Sequence, residues 1–86
     1  MATIKQMIAD VVDLKRQSED MSQMIAAAGK DMSEGAKRLM AIAQESKSGQ
    51  DAARALSSAA GALEQAANSM IALGRTCDEC INDLRK

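Results

Sequence analysis

ESKSGQDAARAL, residues 45–56, interrupts the longest run of apolar periodicity in the chain close to its midpoint. Ser46-Lys47-Ser48-Gly49 gathers residues that favour caps and turns over helix interiors, and Gln50 to Leu56 returns to helix formers. The stretch predicts a turn over residues 46–50 between two helices, helix 1 at about 3–45 and helix 2 at about 51–85. Lys47, Ser48 and Gly49 form that turn, with the chain reversing at Gly49. Ser48 can cap helix 2, and Asp51 at the third helical position completes a weak capping box.

Upstream of the turn, Ile4, Met7, Val11, Leu14, Ser18, Met21, Ile25, Ala28, Met32, Gly35, Leu39 and Ile42 recur at alternating spacings of three and four. That is an a/d seam sustained for more than five heptads. Ile8, Val12, Met24, Ala36, Met40 and Ala43 widen the stripe beyond what one partner helix covers. Downstream, Leu56, Leu63, Met70, Cys77 and Leu84 fall on one seam position and Ala52, Ala59, Ala66, Leu73 and Cys80 on the other. A neighbouring column, Ala53, Ala60, Ala67, Gly74 and Ile81, suits a further helix alongside. Leu56, Ala60, Leu63, Ala67, Met70 and Leu73 are the candidate partner-binding residues.

At about 1.5 Å per residue, helix 1 is on the order of 60 Å long and helix 2 somewhat over 50 Å. Matched lengths and a short connection predict an all-α, antiparallel two-helix hairpin, coiled-coil-like. Gly29 and Gly35 each cost about 1 kcal/mol against Ala inside a helix. A turn at Lys30-Asp31-Met32-Ser33 would instead give three helices, but the heptad runs in phase through Gly35, which favours a continuous helix 1. A lone hairpin leaves the wider stripe in water, so two hairpins are expected to pair into a four-helix bundle, as a homodimer or with a similar partner.

Composition narrows the chemistry. The 86 residues carry 11 basic and 12 acidic side chains and no His, and they are 47% hydrophobic with no aromatic residue and no Pro. A net charge of −1 sets up no field for nucleic acid or anionic lipid. The commonest proton carrier near neutral pH and the usual stacking platforms are absent, so no enzyme activity and no nucleic-acid binding are expected. No apolar run reaches the length of a membrane span, and MATIKQMIAD has neither the basic nor the apolar region of a Sec-type leader. The expectation is a cytoplasmic chain without membrane insertion.

Cys77-Asp78-Glu79-Cys80 is the one cysteine motif. Zinc needs about four ligands, and a single chain supplies two thiolates and no imidazole. Redox-active pairs open helices, where backbone N–H groups favour the thiolate, whereas this pair sits near a helix C-terminus beside two acids. Both cysteines are best placed as small seam residues packed near Met7 and Val11, with a structural disulfide as the alternative. No cofactor and no metal are expected. The acids and bases of helix 1 read as a solvated face, with Asp13 to Arg16 and Glu34 to Lys37 or Arg38 as local pairs.

With two helices, a central turn and the Gly49-Gln50-Asp51-Ala52-Ala53-Arg54-Ala55-Leu56 continuation, the chain resembles the WXG-type, ESAT-like proteins of type VII secretion systems. Lys47-Ser48-Gly49 stands at the family's Trp-x-Gly turn, with Lys47 in place of the Trp. The family's C-terminal aromatic export signature has no counterpart in a chain without aromatics. The resemblance therefore implies a divergent, toxin-companion type of member: a non-catalytic targeting factor or chaperone that binds the helical N-terminal domain of a larger secreted substrate. Export without a cleaved signal peptide would follow, with the partner supplying the signal. A cytoplasmic coiled-coil adaptor or phage-type structural protein fits the same hairpin, and a small redox or metal protein using Cys77 and Cys80 is the third reading.

Overall fold

A computed structural model describes residues 2–86. It contains two α-helices, α1 (Ile4–Ile42) and α2 (Lys47–Arg85), packed against each other as an antiparallel hairpin 62 Å long and 18 × 14 Å across. The chain is an all-α helical hairpin. α1 is unbroken through Gly29 and Gly35, as the uninterrupted heptad predicts.

The start of α1 is fixed by a full capping box. The Thr3 hydroxyl accepts from the Gln6 backbone N–H at 3.1 Å, and the Gln6 side chain accepts from the Thr3 N–H at 2.9 Å. The connection is shorter and earlier than residues 46–50. α1 stops at Ile42, residues 43–46 make the turn, and Lys47, Ser48 and Gly49 already belong to α2. Ser46, not Ser48, is the N-cap: its hydroxyl accepts from the Gly49 N–H at 3.2 Å. The turn is closed by the Ser46 N–H donating to the Ala43 carbonyl at 3.0 Å and by Gln50 Nε2 donating to the Gln44 carbonyl at 2.5 Å.

Gly49 is therefore required for space, not for reversal, since none of the described residues has a positive φ. A Cβ there would run into the Ala43 Cβ and lie 3.0 Å from the Ala43 carbonyl oxygen. The last turn of α1 and the first turn of α2 meet at this point with backbone almost on backbone.

The seam has the expected 3-4 spacing but a different phase. On α1 the side turned to α2 carries Ile8, Val11, Lys15, Ser18, Ser22, Ile25, Gly29, Met32, Ala36 and Leu39, continued by the C-cap Ala43, all buried or half-buried. On α2 it carries Gly49, Ala53, Leu56, Ala60, Leu63, Ala67, Met70, Gly74, Cys77, Ile81 and Leu84. The column Ala53, Ala60, Ala67, Gly74 and Ile81, assigned from the sequence to a third helix, closes the hairpin itself. Met7, Leu14, Met21 and Ile42, assigned to the seam, are exposed.

Small residues explain this choice. A Cβ on Gly29 would sit 3.4 Å from both the Ala60 carbonyl oxygen and the Leu63 Cβ, so the two backbones are nearly in contact. Ala36, Ala53 and Ala67 are buried around the same line, Ala53 to 2% exposure. Close approach of two backbones gains dispersion contacts along the whole length, and large side chains on both columns would hold the helices apart.

An uncharged edge and a polar groove as the candidate docking site

The antiparallel register follows from the contacts at three points along the hairpin. Ala43 meets Gly49, Gly29 lies against Leu63, and Ser18 lies against Gly74. The columns flanking the seam consequently form two different edges.

One edge joins Met7, Leu14, Met21, Ala28, Gly35 and Ile42 of α1 to Ala52, Ala59, Ala66, Leu73 and Cys80 of α2, and none of them is charged. Met21 and Leu73, which the register places side by side, are 47% and 46% exposed, and Ile42 is 82% exposed. Flanking positions of an isolated coiled coil normally carry charge, so a charge-free strip running most of the hairpin's length is the feature of this surface that needs a physical reason.

The opposite edge is polar and hollow. An open groove of about 690 Å³ is floored by Ser22, Ala26, Gly29, Ser33, Ala60, Gly61 and Ala67 and rimmed by Lys30, Glu34, Lys37 and Glu64. Its rim mixes both signs, and Val12, Met40 and Ile71 on this side are separated by polar residues.

Among the described residues, Lys15 is the one charged side chain in the seam. Its stem passes beside Gly74 and its ammonium reaches Asp78 of α2 at 2.7 Å, with Glu19 at 3.8 Å. The hydrogen bond that the Lys15 ammonium donates to the Asp78 carboxylate, reinforced by the nearby negative charge of Asp78 and Glu19, holds Lys15 above the usual lysine value. Ser18 and Ser22 are buried beside it, Ser18 to 2% exposure. Each hydroxyl donates at 2.7 Å to a carbonyl one turn back, Lys15 and Glu19 respectively, so the two serines act as small, self-satisfied seam residues. The other ion pairs among the described residues are Arg54 with Asp51 and Lys86 with Asp83. The Asp13–Arg16 and Glu34–Lys37 or Glu34–Arg38 pairs expected from spacing are not formed.

Of the six candidate partner-binding residues, Leu56, Ala60, Leu63, Ala67 and Met70 lie on the side of α2 turned to α1, and Leu73 lies on the uncharged edge. The two cysteines part company. Cys77 is buried in the seam near Lys15, while Cys80, expected in the seam as well, is exposed on the uncharged edge, and both are free thiols. No cluster of His, Cys, Asp and Glu among the described residues has the geometry of a metal site. Among the described residues, no helix is long and apolar enough to cross a membrane.

Fold and surface together define a class: an all-α helical hairpin with a closed small-residue seam, one charge-free edge and one polar groove. No family model, no curated protein and no solved structure matches the chain.

Proposed function

We propose that the protein is a non-catalytic helical docking module whose uncharged edge packs against the helices of another chain. The observation that supports this is the edge itself, eleven residues on two helices without a charge, left over after the hairpin has closed its own seam. Laying a helical partner along it would remove Leu14, Met21, Ile42 and Leu73 from water. Covering a fully exposed large side chain contributes about 1.5–3 kcal/mol, and Leu14, Met21 and Leu73, already about half covered by the hairpin, would each contribute roughly half of that. A hairpin partner would complete a four-helix bundle in which the seam and the edge form one continuous core.

In its particular form, the function is that of a companion that pairs with the helical N-terminal domain of a larger type VII substrate and escorts it to export. The resemblance of the chain to WXG-type hairpins supports that form, and the partner would carry the export signal. Co-purification from the native cell tests both levels. A larger chain with a long helical N-terminal region, bound by the native protein and released by Leu73→Lys, is the expected result. A bound partner indifferent to Leu73→Lys would move the docking surface elsewhere, and a partner without such a helical region would remove the secretion role.

A further inference from the structure

We infer that, when no other helical chain is bound, the uncharged edge is covered by a second copy of this protein running in the opposite direction. The inference rests on the proposed docking role of that edge. The size pattern of the edge carries it. The register sets Leu14 beside Cys80, Met21 beside Leu73, Ala28 beside Ala66, Gly35 beside Ala59 and Ile42 beside Ala52. Bulky residues stand on one side of the Ala28 and Ala66 row, and Gly35 and Ala59 stand at the same distance on the other.

A two-fold axis through the Ala28 and Ala66 row, crossing the hairpin, lays α1 on α1 and α2 on α2 of the second copy. Met21 then meets Gly35 of the other copy, Leu73 meets Ala59, Leu14 meets Ile42, and Cys80 meets Ala52. Each large side chain in the middle of the strip faces a gap. Two copies running in the same direction would instead set Met21 on Leu73 and Gly35 on Ala59, crowding one layer and leaving a void at the next.

The size of the strip is also right. From Leu14 to Ile42 it is about 42 Å long at 1.5 Å per residue. With the hairpin 18 Å wide, each copy would cover roughly 750 Å², close to the ~800 Å² per partner of a stable complex. In the opposed arrangement the flanking Arg38 faces Gln17 and Asp31 faces Met24, so neither charge is set against a like charge.

Single-cysteine cross-linking separates the possibilities. In a Cys77→Ala, Cys80→Ala background, Ala28→Cys and Ala66→Cys each put one thiol on the two-fold axis, at half-buried helical positions where a thiol is tolerated. Under mild oxidation each variant alone should yield a disulfide-linked dimer, with helix content unchanged by far-UV circular dichroism. Cross-linking only when the two variants are mixed would replace the opposed arrangement with the same-direction one. Absence of any cross-link in folded protein would overturn self-pairing. The docking role of the edge would then stand or fall separately, on whether Leu73→Lys releases the co-purifying partner.

Discussion

Two glycine-to-alanine substitutions should move stability in opposite directions. Gly61 lies mid-helix on α2, and a Cβ there meets nothing within 4 Å. Gly61→Ala therefore gains only the reduced freedom of the unfolded chain, about 0.5–1 kcal/mol. For a domain of this size that corresponds to a rise of about 3–6 °C in melting temperature. At Gly49 the same methyl would collide with Ala43 at the tightest point of the hairpin. Overpacking of that kind costs about 1–3 kcal/mol, against at most about 1 kcal/mol of helix propensity. Gly49→Ala should accordingly lower the melting temperature. Ala43→Gly in the same chain should restore much of the loss, because it removes the methyl that is struck. Thermal melts followed at 222 nm, at one fixed protein concentration, measure all three. Equal stabilisation by both single variants, or no rescue by Ala43→Gly, would refute the close approach at residues 43 and 49 and the turn built on it.

Ser18→Ala and Ser22→Ala should each change stability by no more than about 1 kcal/mol, because each hydroxyl bonds only its own helix. Ser18→Leu should cost about 1–3 kcal/mol by forcing the seam apart against Gly74, a contrast that chemical denaturation reads directly. The Lys15 ammonium is held above its ordinary 10.5 by Asp78, so its contribution to stability is fully present below the unfolded value and is lost as pH rises through the higher folded value. The difference in melting temperature between the native protein and Lys15→Met should hold steady from about pH 6 to 9 and change only above about pH 10.5; a change confined to pH 6–9 would dissociate Lys15 from the effect. Cys80 should react with a thiol reagent before Cys77, whose modification should follow the unfolding transition. Simultaneous reaction of both thiols under native conditions would place Cys77 outside the seam.

The hairpin was legible because α1 and α2 carry unbroken heptads of matched length, and no Pro interrupts either. The phase of the seam was harder to see. Two adjacent columns on each helix are apolar or small, and periodicity alone favours the one with larger residues and no charge. The hairpin closes on the other, since Gly29, Ala60, Ala67 and Gly74 let the backbones meet, and the charge of Lys15 is answered across the seam by Asp78. The turn lies several residues before the position its residue types suggest, for a local reason. Ser46 and Ser48 are both plausible caps by residue type, and the contact of Gly49 with Ala43 that selects Ser46 lies between two helices and leaves no mark on either one's pattern. The uncharged edge could be found from sequence only once the seam's phase was known. Its residues were visible as apolar, but not as those left outside.

The mass of the purified protein in solution tests the covered edge most directly. The chain is 9.1 kDa, and sedimentation equilibrium on the native protein should give twice that value, with Leu73→Lys shifting the association toward the single chain. A mass of 9.1 kDa across the micromolar to millimolar range, with full helix content, would contradict the pairing of this edge with a second copy.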